Sequence, residues 1–254
     1  CLYAMDQIKF FETYVLGLKQ ENIEETITSS TIGNIIHDSL ELIYKDYVGK
    51  KLIIEDLKKM KEKINTTVQN IIRNYVREEN VYKGKNIIIV ETVKEYVKKV
   101  IDLDKKTIEG GNGLKIIAVE REFENEIKDG GEKFKIRGKI DRIDELNGEI
   151  RVIDYKSGKK LNKRNLTIKD SEELTKEKGI YNLQLLIYML GIKEEFNEKT
   201  IKSGIINLKN ISEGVLEGVF NGKTDLSDKD MENYKKGIIM IITDILNKNK
   251  LFEN

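Results

Sequence analysis

The chain has 254 residues, 39% hydrophobic and 35% charged, enough to bury roughly 70–75% of its unfolded surface without staples. Lys+Arg (45) and Asp+Glu (44) nearly cancel to a net charge of +1, which excludes disorder by self-repulsion and leaves any nucleic-acid claim to local residues. The one cysteine, Cys1, excludes an internal disulfide framework and a cysteine-only metal cluster built from this chain alone.

The first 105 or so residues read as helical. Phe10, Phe11 and Tyr14 lead into a short apolar segment closed by Leu16, Gly17 and Leu18. From Thr31 to Tyr47, the residues Ile32, Ile36, Leu40, Ile43, Tyr44 and Tyr47 recur every three or four positions, and the pattern stops at Gly49. Leu57, Met60, Ile64, Val68, Ile71 and Tyr75 repeat it, as do Ile89, Val93, Tyr96, Val97 and Val100. After the stretch from Gly110 to Gly113 the period falls to two. Lys115 to Ile127, Lys133 to Leu146 and Glu149 to Lys156 read as strands, separated by the hairpin signals Gly130-Gly131 and Asn147-Gly148. A polar loop runs from Ser157 to Lys178. Tyr181 to Leu190 is then predicted helical, Ile201 to Leu208 a strand, Val215 to Phe220 another strand, and Lys229 to Lys248 a final helix. The order predicts an α/β chain: a mixed sheet begun by an antiparallel three-strand meander and flanked by helices, with an N-terminal helical region.

No apolar run approaches ~18 residues, and no signal peptide is visible, so a cytoplasmic location without a membrane partner is expected. The chain begins at Cys rather than Met, which suggests a piece of something longer.

The second hairpin carries the chemistry. With a two-residue turn on Asn147-Gly148, Leu146 faces Glu149, Asp141 faces Asp154 and Lys139 faces Lys156. Directly opposed side chains lie ~4.5–5.5 Å apart at Cβ, where like charges repel. Alternation puts Asp154 and Lys156 on one face and Tyr155 on the other, with Ile140, Ile153 and Tyr155 suited to a core. A shared proton, a lysine or a divalent cation would relieve the two carboxylates, and a solvated face of cross-strand ion pairs gives the same pattern. One or two carboxylates suit Mg²⁺. A turn at Gly130-Gly131 would bring Glu120 opposite Asp141; a turn one residue earlier would bring it opposite Lys139, on the same side. The lysines and arginine at Lys156, Lys159, Lys160, Lys163 and Arg164 form the strongest basic cluster, a DNA-backbone contact or a solvated loop.

At these residues the chain resembles the PD-(D/E)XK nucleases, in the RecB-like branch that includes AddB-type helicase–nuclease subunits. The pattern G-x-I/V-D-R-I/V-D is matched from Gly138 to Asp144, and D-Y-K-T/S-G by Asp154-Tyr155-Lys156-Ser157-Gly158. An upstream G-x-x-x-H is matched by Gly33 and His37, and a downstream Q-x-x-x-Y by Gln184 and Tyr188. The opening C-P-x-x-F-x-x-Y-V-L-G-L pattern is met in part, with Leu2 where proline is usual.

The resemblance implies a restriction-endonuclease-like core. It implies a single nuclease domain over 1–254, with a helical insertion at about 50–110, a catalytic sheet core over 114–220 and a C-terminal helix over 227–250. It also implies a Mg²⁺- or Mn²⁺-dependent deoxyribonuclease acting on DNA ends or single strands, partnered by a helicase domain or subunit. Asp141 and Asp154 would ligate the metal with His37 and the Tyr155 backbone carbonyl. Lys156 would sit against the attacking water, Gln184 and Tyr188 would line the DNA side, and Glu120 would be an accessory acid. Gln184 and Tyr188 share a helix face, opposite Leu183, Leu186, Ile187 and Leu190. Some relatives carry a four-cysteine iron–sulfur cluster, which one cysteine cannot build. No G-x-x-x-x-G-K-[ST] motor motif is present. The competing reading is a catalytically silent module on the same fold that binds DNA or docks a partner; an RNA-directed or structure-specific nuclease is a third.

Overall fold

The stripe of apolar residues on each predicted helix finds its partner in the others and in the sheet. The computed structural model describes residues 6–17, 27–197 and 199–247; expectations falling on Cys1, Leu2, Leu18 and 248–254 lie outside the described residues. A short helix α1 (Gln7–Phe10) runs into a π-turn over Phe11–Val15. Helix α2 (Ser29–Lys45) begins where the Thr28 hydroxyl accepts the Thr31 N–H at 3.3 Å, filling one of the vacant donors of its first turn. Helices α3 (Ile54–Ile72) and α5 (Lys85–Glu109) follow, with the single turn α4 (Glu78–Val81) between them. Ile36, Leu40 and Ile43 of α2, Leu57, Met60 and Val68 of α3, and Val93, Val97 and Val100 of α5 bury their side chains in one core with Ile153 and Tyr155 of the sheet.

The sheet is the mixed one expected. Strands β1 (Leu114–Asp129), β2 (Glu132–Leu146) and β3 (Glu149–Lys156) form the antiparallel meander. Strand β5 (Ile201–Asn207) lies parallel to β3, and β6 (Val215–Glu217) closes the edge in the order β1-β2-β3-β5-β6. Asn147 and Gly148 both have positive φ (+53° and +95°), the left-handed turn whose twist matches that of the strands. The predicted strand from Val215 to Phe220 splits. Gly218 donates its N–H to Ser203 O at 2.9 Å, and Val219–Phe220 (β7) leave the sheet to pair with Thr167–Ile168 (β4) inside the loop expected to be wholly irregular.

Helix α6 (Ile180–Ile192) and helix α7 (Asp228–Leu246) cover the other face. With Ile143, Ile150 and Val152 of the sheet they make a second core. Ser227 caps α7 reciprocally with Asp230. Gly237 in α7 lets the backbone of Ser171 approach: a Cβ there would sit 2.4 Å from Ser171 O and 2.9 Å from Leu174 Cδ1. Gly237→Ala should therefore destabilise the chain by about 1–2 kcal/mol, because overpacking outweighs the ~1 kcal/mol gain in helix propensity. A urea midpoint that rises at unchanged slope would refute this.

One irregularity shapes everything near the site. In the first hairpin Arg121 pairs with Ile140 and Val119 with Arg142, so Glu120 stands opposite Asp141, yet these two do not pair. Glu120 has φ +46°, a left-handed backbone rare in glutamate. On the turn side of this point Phe123, Ile127, Ile136 and Ile140 pack in the second core; beyond it Val119 joins the first core and Arg142 reaches Asp104 of α5. Both strands thus exchange faces at Glu120 and Asp141. Simple alternation places Ile140 with Ile153 and Tyr155; this exchange puts Ile140 in the opposite core.

Candidate active site

The β2–β3 ladder holds the expected register from Leu146↔Glu149 to Arg142↔Ile153 and is not continued beyond it. There the Asp141 carboxylate takes over, accepting the Tyr155 N–H at 2.7 Å. Asp141 (7% exposed) is thereby held by main chain from the neighbouring strand.

His37 arrives from α2. One turn earlier Gly33 lies against the loop after β3, where a Cβ would stand 3.2 Å from Ser157 Oγ. The spacing of this glycine and histidine thus sets the helix close enough for the imidazole to reach the sheet. His37 Nδ1 lies 3.3 Å from Asp141 Oδ2 and 3.6 Å from Glu120 Oε1, and Nε2 lies 3.1 Å from the Tyr155 carbonyl. Both nitrogens face acceptors, an arrangement suited to the imidazolium. Burial alone would lower its pKa, but the carboxylates of Asp141 and Glu120 outweigh burial and raise it to about 10. Burial would likewise raise the pKa of Glu120, yet His37 and Lys139 hold it below the ordinary range.

His37, Glu120 and Asp141 each offer a ligand atom within 4.8 Å of the others. Asp154 is not in that trio. It lies at the foot of the second face, 1% exposed. Its Oδ1 accepts from Gln184 Nε2 at 2.9 Å, Lys156 Nζ at 3.2 Å and Tyr188 Oη at 3.4 Å. Its Oδ2 lies 2.9 Å from Lys156 Nζ but has no aligned hydrogen bond, so a buried carboxylate oxygen is left over. Burial, then the charge of Asp141, pushes the Asp154 pKa up to about 6. A buried carboxylate oxygen that makes no aligned hydrogen bond, with Asp141 near enough to raise its pKa, fits a hard divalent cation, which prefers oxygen ligands. The residues that would hold such an ion are Asp141, Asp154, Glu120 and His37. The Tyr155 carbonyl, expected as a ligand, is engaged by His37 Nε2; this bond would fix the tautomer of a ligating imidazole.

Gln184 and Tyr188 both hold Asp154, and Gln184 Nε2 also donates to Tyr188 Oη at 2.7 Å. Tyr188 is buried, its ring edge-on to Phe123 at 6.2 Å, so the helix face that spacing leaves to the surface packs instead against the sheet.

Sequence reasoning misses the other side of β2. Arg142, 1% exposed, pairs with both carboxylate oxygens of Asp104 (2.8 and 3.1 Å) and, through Nε, with Asp144 at 2.7 Å. Arg151 adds a bidentate contact to Asp144, and Tyr44 donates its hydroxyl to Asp104. The D-R-I-D run therefore divides its labour: Asp141 faces the site, while Arg142 and Asp144 fasten the sheet to the helical layer.

The sequence profile of the PD-(D/E)XK nuclease superfamily matches residues 3–251. The chain belongs to the PD-(D/E)XK nuclease superfamily. Its five-stranded mixed sheet flanked by helices is the restriction-endonuclease-like core of that superfamily. Among similar proteins is an ATP-dependent helicase/deoxyribonuclease subunit of Clostridium perfringens (strain SM101 / Type A), 26% identical over 252 residues that cover 91% of this chain and 20% of that protein. Its namesake in Alkaliphilus oremlandii (strain OhILAs) is 28% identical over 221 residues, covering 78% of this chain and 17% of that protein. RecB of the Borreliella burgdorferi RecBCD enzyme is 29% identical over 217 residues, covering 74% and 18%. This PD-(D/E)XK chain spans about a fifth of the length of these relatives. Among the described residues, no helix is long and apolar enough to cross a membrane.

Proposed function

We propose that this chain is the nuclease part of a helicase–nuclease and hydrolyses DNA phosphodiester bonds with Mg²⁺ or Mn²⁺. The observation that carries the reading is Asp154. A carboxylate this buried, with one oxygen met only by the Lys156 ammonium without an aligned hydrogen bond and a second acid close enough to raise its pKa, is costly unless it serves chemistry. A divalent ion held by these carboxylates supplies a bound water of lowered pKa and a Lewis acid for the phosphate. Lys156, on the same carboxylate, offers a compact ammonium to orient the attacking water or neutralise a phosphate oxygen. Gln184 and Tyr188 keep Asp154 from turning away, as outer partners of ligands do. The family and the names of the relatives support DNA as substrate and a helicase as partner.

The test is incubation with linear duplex and single-stranded DNA in Mg²⁺, Mn²⁺ or EDTA. Cleavage in metal and none in EDTA is expected. DNA binding without turnover under any metal would assign the chain instead as a silent binding or docking module, and preferential RNA cleavage would replace the substrate.

A further inference from the structure

A second concavity opens just past the candidate site. Two residues after Lys156 the chain enters a cleft of about 590 Å³, within the size range of small-ligand sites. Lys159, Lys160, Arg164 and Lys178 line it together with Tyr181, and Glu177 is the single acid on its wall.

Three features make this a built surface rather than a solvated loop. The loop's backbone is fixed from beneath. Asn207, fully buried, donates to the carbonyls of Lys159 (2.8 Å) and Lys156 (3.3 Å) and accepts the Leu161 N–H at 3.2 Å, while Asn210 donates to Leu161 O at 2.9 Å. Leu161 and Leu166 anchor it in a small apolar cluster with Leu185, Ile205 and Leu216, against which Tyr181 packs.

Second, the cations are unspent. Lys178 pairs with Glu173, but among the described residues Lys159, Lys160 and Arg164 form no ion pair. Third, the cleft shares a helix with the chemistry. Tyr181, Gln184 and Tyr188 are spaced by three and four along α6, one helix face, and Gln184 and Tyr188 end on Asp154. A ring one turn before Gln184 thus stands beside cations that begin three residues after the Lys156 ammonium.

Unpaired cations beside a half-buried aromatic ring are the elements that bind single strands: charge follows the backbone, and a ring accepts any base. We propose that this cleft is a subsite for single-stranded DNA, with Lys159, Lys160 and Arg164 on phosphates and Tyr181 against a base next to the phosphate to be cut. A rigid duplex cannot offer an unstacked base to Tyr181, so the occupant is a single-stranded segment. The inference rests on the nuclease reading for its meaning, not for its test.

That test is metal-free binding of a fluorescent oligo-dT by anisotropy in EDTA, as a function of salt, with the 254-residue chain. Lys160→Ala/Arg164→Ala, both at exposed positions, should weaken binding about tenfold at low salt and reduce the salt slope by about 1.4. Tyr181→Leu, which keeps apolar packing on the cluster, should weaken binding about tenfold with the slope unchanged. Binding of a blunt duplex should fall less for Tyr181→Leu than binding of the single strand. Unchanged affinity in the double variant would overturn the subsite. Equal losses for strand and duplex in Tyr181→Leu would overturn the single-strand assignment. Wild-type cleavage in Mg²⁺ or Mn²⁺ reports separately on the nuclease reading: binding of oligo-dT without cleavage keeps the subsite and removes the chemistry.

Discussion

Asp154→Asn should abolish cleavage and yet make the metal-free protein harder to melt at pH 8. The first half follows from loss of a charge at the reacting centre; removal of one such stabilising group costs at least about 10²–10³-fold in turnover. The second half follows from the burial of that charge. Ordinary carboxylates titrate near 4, and burial together with Asp141 lifts Asp154 to about 6. The folded state therefore binds this proton more tightly than the unfolded state. Stability falls as pH rises from about 4 to about 6, and the full cost, ~2–3 kcal/mol at most, is present above that window. Asparagine has no charge to bury, and its carbonyl still accepts from Gln184 and Tyr188. Lys156, 30% exposed, can turn to water. The expected rise in Tm at pH 8 in EDTA is about 2–6 °C, vanishing by pH 4. Wild-type cleavage by the variant would remove Asp154 from the site. A lower Tm at pH 8 would show that Lys156 gains more from the carboxylate than burial costs.

Much of this arrangement is legible in the sequence because hairpin geometry is local. Asn147-Gly148 fixes which residue faces which from Leu146↔Glu149 to Arg142↔Ile153. The count would carry on to Asp141 opposite Asp154, but the ladder stops one pair short and the Asp141 carboxylate takes the Tyr155 N–H. Gly130-Gly131 does the same for Glu120. Counting fails where the backbone departs from the pleat. Nothing in the letters says that Glu120 takes a left-handed φ, so the exchange of faces there, and with it the side taken by Ile140, is invisible to alternation. The burial of Tyr188 is hidden for a related reason. A helix lying across a sheet buries most of its circumference, and a tyrosine can bury its ring while spending its hydroxyl on Asp154. The Arg142 network does leave a signal. In the stripe Val93, Val97, Val100 the next position is Asp104, an aspartate on an apolar face that needs a buried cation.

That cation should be worth more than any other side chain on the helical side of the sheet. Arg142→Met removes one partner from a buried set and, among the described residues, leaves the Asp104 carboxylate the Tyr44 hydroxyl alone. Breaking a buried pair from one side costs about 3–5 kcal/mol, chiefly the penalty of the charge left behind. For a chain of this size that is a drop in Tm of about 6–20 °C. Asp144 should tolerate the change better, because Arg151 still meets both its oxygens at 2.7 and 3.0 Å. The loss should therefore be recoverable at Asp104. In Arg142→Met/Asp104→Asn no unpaired charge remains on α5, and the amide still accepts from Tyr44, so at least half of the lost stability should return. The measurement is a double-mutant cycle by urea unfolding. Additive costs would mean that Arg142 and Asp104 act through separate partners, and that this pair does not join the helical layer to the strand carrying Asp141.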